Sequence, residues 1–226
     1  MSQNVIYTDG GCLENGKYDK KTKESLATGG FGIYLFKSCF GDKIKINCKG
    51  ETMKINLNDV EEIFDPTNIR MEGLAIFATM FLYAEQFIFK KNIECPVEHL
   101  NKYFLKQAHP LKLMYSENEL NQHNDTIIQS FDIITDSKFW IDVVHKYMPG
   151  WIRKNQLLTK SRKNADLILI LYYYLTLFEQ NKVKVNFTHV YSHQKGKRSQ
   201  HADGNDIADT LATGALKNSD TLFHLM

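Results

Sequence analysis

The feature that most constrains the fold of this chain is an apolar run without a charged residue at positions 73–84, GLAIFATMFLYA. A membrane span needs about 18 apolar residues or more, so this run is too short to be one. Because Glu72 and Glu85 bracket it, we expect a helix buried in a globular core, extending over residues 68–89. Pro66 disfavours helix immediately before itself, and Thr67 or Asn68 can cap the helix that follows.

Extended segments surround this helix in the sequence. A strand at residues 4–8, a turn at residues 9–11 (DGG) and strands at residues 30–36 and 43–48 predict a three-stranded antiparallel meander. Later segments predict strands at residues 131–135 and 183–190, and helices at residues 138–147, 164–181 and 205–216. This order predicts an α/β fold with a five-stranded mixed sheet flanked by helices.

Length and composition indicate one globular domain. A chain of 226 residues fits a single core, and the polar, weakly periodic residues 91–130 are expected to be an insertion or lid within it.

Four scattered cysteines without a C-x-x-C pair predict reduced thiols, with neither a zinc site nor a disulfide framework. The start, MSQNVIYTDGG, shows no secretion signal. We therefore expect an intracellular monomer, cytoplasmic or nuclear, that does not associate with membranes.

Charge is distributed unevenly along the chain. The net charge is +2, but residues 137–200 carry +9 and the remainder carries −7. Such a basic half favours a polyanionic partner, since phosphate backbones attract clustered lysine and arginine. Within it, residues 149–163 combine basic side chains with Trp151, which suits a nucleic-acid strand. The alternative is a solvated basic surface on a helix that Trp151 packs.

Four carboxylates occupy corresponding places on different predicted elements. Asp9 and Asp136 end strands, whereas Glu72 and Asp209 lie in the first turns of helices. Strand ends and helix starts meet at one rim of an open sheet, where ligands bind in such folds. Carboxylates gathered near a core need cations, and hard oxygen ligands favour Mg²⁺ or Mn²⁺. Taken singly, each acid is more often a helix cap, a turn residue or a solvated charge, so the prediction rests on the joint pattern.

A family resemblance rests on seven short segments in a fixed order. They are YTDGGC (7–12), GGFGIY (29–34), TNIRMEG (67–73), ITDSK (134–138), KNADL (163–167), HVYSH (189–193) and GNDIAD (204–209). Together they resemble the type 1 ribonuclease H family, whereas residues 49–66 and 91–130 have no counterpart in it.

The resemblance implies a metal-dependent nuclease. Asp9, Glu72, Asp136 and Asp209 match the four acids that hold two Mg²⁺ ions in this family, with Mn²⁺ as a substitute. Members hydrolyse the RNA strand of an RNA/DNA hybrid and leave 5′-phosphate and 3′-hydroxyl ends. His193 matches the histidine of a mobile loop that assists proton movement or product release, and His201 in the same stretch is a rival for that role.

Further positions match residues that contact the substrate in this family. By resemblance, the minor-groove contacts are Cys12, Asn15, Asn68 and Lys138, and the DNA-strand contacts are Trp151, Asn164 and Thr67. Their alternatives are a small buried residue for Cys12, a turn for Asn15 and a helix cap for Asn68 or Thr67. Because Ile69 replaces a residue that is often polar, and Lys138 replaces a frequent glutamine, hybrid recognition is expected to be less stringent.

The sequence therefore predicts an Mg²⁺-dependent endonuclease acting on RNA/DNA hybrids. Two alternatives keep the same scaffold. One is a nucleic-acid-binding protein without turnover, and the other is a DNA-processing member of the wider superfamily, similar to integrases and junction resolvases.

Overall fold

A mixed β-sheet lies at the centre of the structure, a computed structural model that describes residues 4–36, 43–49, 53–57, 60–64, 66–100, 130–156, 162–192, 199–217 and 223–225. In chain order the strands are β1 (Asn4–Leu13), β2 (Thr28–Phe36), β3 (Lys43–Lys49), β4 (Met53–Leu57), β5 (Val60–Phe64), β6 (Ser130–Thr135), β7 (Lys184–His189) and β8 (Phe223–Leu225). The main sheet has the strand order β7-β6-β1-β2-β3-β8, and β4 pairs with β5 in a separate antiparallel sheet.

The pairing directions make the main sheet mixed. β1 is parallel to β6, and β6 is parallel to β7, whereas β1–β2, β2–β3 and β3–β8 are antiparallel. The predicted α/β class and the meander are confirmed. The sheet has six strands instead of the predicted five, because the short β8 adds to the edge of β3.

Helices cover both faces of this sheet. They are α1 (Asn68–Tyr83), α2 (Pro96–Leu100), α3 (Lys138–Asp142), α4 (Met148–Arg153), α5 (Ala165–Gln180) and α6 (Gln200–Lys217). A π-helical turn at Ala84–Ile88 extends α1, and another at Val143–Tyr147 joins α3 to α4. The helix predicted over residues 68–89 is thus present with a change of pitch near its end.

The α1 helix is buried on nearly every side, as its apolar sequence predicts. Thr67 caps it, since its hydroxyl accepts a hydrogen bond from the Arg70 amide at 3.1 Å. α1 and α5 share the larger apolar cluster with one face of the sheet, and α6 packs on the other face through Ala208 against Tyr7 and Ile134. None of the described helices has the length and hydropathy to cross a membrane.

The turn predicted at residues 9–11 is wrong, because β1 continues through these residues to Leu13. Asp9 pairs with Gly32 inside the antiparallel ladder, although the parallel pairing with β6 stops at Tyr7. A Cβ atom on Gly10 would collide with the backbone of Met71 and Glu72, and one on Gly32 with the backbone of Ala208. These glycines therefore serve close helix packing on the two faces of the sheet, not a turn.

Two further sequence predictions need correction or fall outside the described residues. The last helix begins at Gln200 and not at residue 205, so Asp209 lies in its third turn. Of the insertion at residues 91–130, α2 is described and residues 101–129 lie outside the described part of the chain. The single-domain organisation over residues 1–226 stays a prediction.

We expect the substitution Gly10→Ala to destabilise the protein by about 1–3 kcal/mol, because the added methyl group meets α1 backbone that cannot move alone. Urea unfolding followed by circular dichroism measures the change. Gly150→Ala is the matched control, since a Cβ there meets nothing within 4 Å and alanine favours the helix. Equal stability of Gly10→Ala and the wild type would contradict this packing argument.

Candidate active site

Three carboxylates from distant parts of the chain meet beside the end of β6. Asp9 lies in β1, Glu72 in the second turn of α1, and Asp136 directly after β6. One carboxylate oxygen from each lies within 4.8 Å of those of the other two. Such a group can hold a divalent cation, and we call these three residues the acidic triad.

Each member of the acidic triad is held by a hydrogen bond. The Gly10 amide donates to Asp9 Oδ1 at 2.7 Å. The Ser137 hydroxyl donates a short hydrogen bond to Glu72 Oε2, and the Asn205 side chain donates to the Asp136 carboxylate. These donors orient the carboxylates before any cation binds.

Burial and mutual repulsion favour the protonated forms of the acidic triad. The pKa of Asp9 is raised to about 8, mainly by burial and then by the charge of Asp136. The pKa of Glu72 is raised to about 7, again mainly by burial, although the Ser137 hydrogen bond opposes the rise. Burial also raises the pKa of Asp136, whereas the hydrogen bond from Asn205 lowers it. Desolvated like charges of this kind are stabilised by a bound cation.

Asp209, the fourth predicted acid, lies near the acidic triad without being part of it. Its charge contributes to the raised pKa values of Asp9 and Asp136, but it does not belong to the group of carboxylates with oxygens within 4.8 Å. Its metal-binding role stays a prediction.

The two predicted loop histidines differ in what the structure shows of them. His193 lies outside the described residues. His201 is not in a loop, because α6 has already begun at Gln200, and its Nδ1 atom lies 3.1 Å from the Tyr7 hydroxyl in a hydrogen bond. Another histidine, His189, lies beside the acidic triad, with its Nε2 atom 3.2 Å from the backbone oxygen of Asp136.

The predicted minor-groove residues lie around the N-terminal end of α1 and at the start of α3. Cys12 is half-buried and its thiol donates to the Pro66 carbonyl at 3.3 Å. Asn15, in a turn, and Asn68, the first residue of α1, are both exposed. Lys138 is exposed at the start of α3, where its ammonium group pairs with Asp142 at 3.0 Å.

The predicted DNA-strand contacts differ in accessibility. Trp151 is half-buried, stacks on Tyr147, and carries the Arg162 guanidinium 3.5 Å above its ring centre. Asn164 is buried, and its Oδ1 accepts a hydrogen bond from Arg70 at 3.3 Å. This placement favours a structural role for Asn164, and its contact with DNA stays a prediction.

Sequence reasoning did not single out several residues that support the site. Ser137 and Asn205 bind the acidic triad from within the ITDSK and GNDIAD segments, directly after Asp136 and four residues before Asp209. Arg70 and Asp166 form a fully buried ion pair, at 3.0 and 2.6 Å, that ties α1 to α5. The spacing of four residues was a usable signal for Asn205, because it places both side chains on one helix face.

The metal-free protein should lose stability as the pH rises from about 4 to about 8. The pKa of Asp9 is raised from 3.8 to about 8, so the folded state holds a proton that the unfolded chain releases. Asp9→Asn removes this penalty, and its melting temperature in EDTA should exceed that of the wild type by about 2–4 °C or more at pH 8. The gain should shrink towards pH 5.

The matched control for this titration is Asp142→Asn. The pKa of the half-buried Asp142 is lowered by hydrogen bonds from Lys146 and Lys138, so no gain that grows with pH is expected. A constant difference between Asp9→Asn and the wild type from pH 5 to 8 would contradict the raised pKa.

Comparison with known proteins finds a family model that matches part of the chain. Residues 116–217 match the RNase H family model, a range that contains Asp136 and Asp209 but neither Asp9 nor Glu72. A search of curated proteins finds no match for the sequence.

Solved structures share the fold over nearly the whole chain. The protease–reverse transcriptase of a foamy virus in complex with double-stranded DNA matches with a TM-score of 0.51 and 17% identity, covering 96% of this chain and 95% of that chain. The same kind of protein in complex with an RNA/DNA hybrid matches with a TM-score of 0.50 and 16% identity, covering 96% of this chain and 20% of that chain. This chain therefore spans about a fifth of the second protein, and both likenesses concern the fold alone. The resemblance carried by the sequence motifs is confirmed by the match of residues 116–217 to the RNase H family model.

Proposed function

We propose that this chain hydrolyses the RNA strand of RNA/DNA hybrids with Mg²⁺, for which Mn²⁺ substitutes, leaving 5′-phosphate and 3′-hydroxyl ends. The acidic triad carries the proposal, because three carboxylates with oxygens within 4.8 Å of one another form a ready set of hard ligands. Asp209, whose charge reaches Asp9 and Asp136, would complete a set of four acids.

The residues present fit a divalent cation. In the described part of the chain, no lysine or arginine forms an ion pair with Asp9, Glu72 or Asp136. Among the described residues, the acidic triad therefore has no lysine or arginine as a countercharge, in contrast to the buried Asp166, which Arg70 neutralises. Two bound Mg²⁺ ions would supply activation of the attacking water and stabilisation of the leaving 3′-oxygen.

The protein's own groups would prepare the site for this chemistry. Ser137 holds Glu72, and the Gly10 amide holds Asp9, so two carboxylates from different elements are oriented without the substrate. The loop histidine predicted from the family, His193, would assist proton movement or product release.

Several observations support a nucleic-acid substrate. The family matched by residues 116–217 is RNase H, and one structure with the same fold is a foamy viral enzyme in complex with an RNA/DNA hybrid. Residues 137–200 carry a net charge of +9. Within these residues, the Arg162 guanidinium and the Tyr147 ring each stack on Trp151, and such a basic and aromatic cluster suits contact with a strand of nucleic acid.

Next to the acidic triad, the surface combines apolar groups with one positive charge. Ile69 and Phe139 are exposed to 40% and 38%, and each lies three residues from a triad member. The Trp140 indole links their elements by donating to the Ile69 carbonyl at 2.6 Å. Lys138 is the charged neighbour of these apolar side chains. This surface would bind a minor groove mainly through shape and charge, and less through hydrogen bonds that identify a 2′-hydroxyl.

We expect Asp136→Asn to lower hybrid cleavage by about 10³-fold or more, since loss of a cation ligand removes several kcal/mol of transition-state stabilisation. Binding of the hybrid, measured by fluorescence anisotropy, should be retained. The assay uses a labelled RNA/DNA hybrid, an RNA duplex and a DNA duplex, each with Mg²⁺ and with EDTA.

Asp132→Asn is the matched control for this experiment. Asp132 is a buried carboxylate four residues earlier that accepts a hydrogen bond from Asn186 at 2.6 Å and lies outside the acidic triad. Its cleavage rate should stay near that of the wild type. Equal cleavage of the DNA duplex and the hybrid would instead support a DNA-processing enzyme.

A second substitution tests whether Lys138 makes recognition of the RNA/DNA hybrid less stringent. Lys138→Gln replaces a point charge with an amide, so binding to duplex DNA should weaken more than binding to the hybrid. If Lys138 neutralises one phosphate, the substitution should reduce the slope of log affinity against log salt concentration by about one. An unchanged slope and an unchanged ratio of hybrid to duplex affinity would exclude a role for Lys138 in substrate binding.

A further inference from the structure

Asn205 occupies a central place in the site that the proposed mechanism does not use. It lies in α6, one turn before Asp209, so the two side chains project from the same helix face. Only 2% of Asn205 is exposed. A fully buried amide at the edge of an acidic group needs hydrogen-bond partners for both of its ends.

One end of the Asn205 amide has such a partner. Its side chain hydrogen-bonds the Asp136 carboxylate. An ionised carboxylate only accepts hydrogen bonds, so the donor is Nδ2. Asn205 therefore holds Asp136 as Ser137 holds Glu72.

The other end of the amide is unpaired. Asn205 Oδ1 is buried and has no hydrogen-bond partner among the described residues. A buried acceptor left unpaired costs about 1–3 kcal/mol, and this cost disappears when a donor arrives. A donor bound beside Asp136 would remove this cost.

We propose that Asn205 is a positioning residue of the cation site, whose Nδ2 fixes the Asp136 carboxylate and whose Oδ1 accepts a hydrogen bond from a water molecule bound to the divalent cation. The inference rests on the proposed function, because it requires a cation at the acidic triad. Such water is a strong donor, and outer partners of this kind orient the ligands of a metal. A ribose hydroxyl would offer similar chemistry, so the test is done without nucleic acid.

The first experiment titrates Mg²⁺ into the substrate-free full chain by isothermal calorimetry. Asn205→Leu keeps a similar volume but removes both polar ends, and its Mg²⁺ affinity should fall about 10- to 100-fold. Unchanged affinity would overturn the inference. A wild-type chain that binds no Mg²⁺ would overturn the proposed function as well, so the two failures are distinguishable.

Asn205→Asp tests the proximity of the cation independently, should the leucine variant fold poorly. It keeps the Oδ1 acceptor and places a further negative charge beside Asp136. Without metal its melting temperature should fall, and saturating Mg²⁺ should raise it by more than it raises that of the wild type. An Mg²⁺-induced increase equal to that of the wild type would show that position 205 does not face the cation.

Asn186→Leu is the matched control. It breaks another hydrogen bond between asparagine and aspartate, from Asn186 Nδ2 to Asp132 Oδ1 at 2.6 Å, away from the acidic triad. Its Mg²⁺ affinity should equal that of the wild type. An equal loss of affinity in Asn186→Leu and Asn205→Leu would assign the effect to general destabilisation and overturn the inference.

Discussion

Desolvation of three neighbouring carboxylates is the constraint on which the rest of the site depends. Asp9, Glu72 and Asp136 are brought together against their desolvation, and the raised pKa values of all three record the unfavourable energy. The fold makes this possible by placing one donor on each carboxylate and by packing helices closely on both faces of β1 and β2. A bound cation would convert this arrangement from a penalty into a source of stability.

Much of the fold could be predicted, because its strongest signals are local. The apolar run of α1 has no solvated face, and strands β2, β3 and β6 carry extended patterns bounded by turn residues. The sequence predicts a turn at Asp9-Gly10-Gly11 because each of these residues individually favours turns. Its strand conformation comes from pairing with β2 and from the nearness of α1 and α6, which only the tertiary structure shows.

The hydrogen bonds that hold the acidic triad could not be predicted from the sequence, because they too depend on tertiary structure. The acids could be singled out because desolvated carboxylates imply a partner, but a serine or an asparagine is common in turns and helix caps. Whether Ser137 reaches Glu72, or Asn205 reaches Asp136, depends on how α1 and α6 dock. His201 is the opposite case, a residue that the sequence does single out. It is predicted in a loop but lies in a helix, where it forms a hydrogen bond with Tyr7.

The wide spacing of the acids along the polypeptide has a consequence for folding. Residues 9, 72, 136 and 209 are separated by more than sixty positions each, and they are carried by two strands and two helices. In the proposed site of four acids, an intermediate without a docked α6 would lack Asp209, so the complete ligand set would form only after this helix docks. Ion uptake would thus mark the end of assembly and prevent premature activity in a nascent chain.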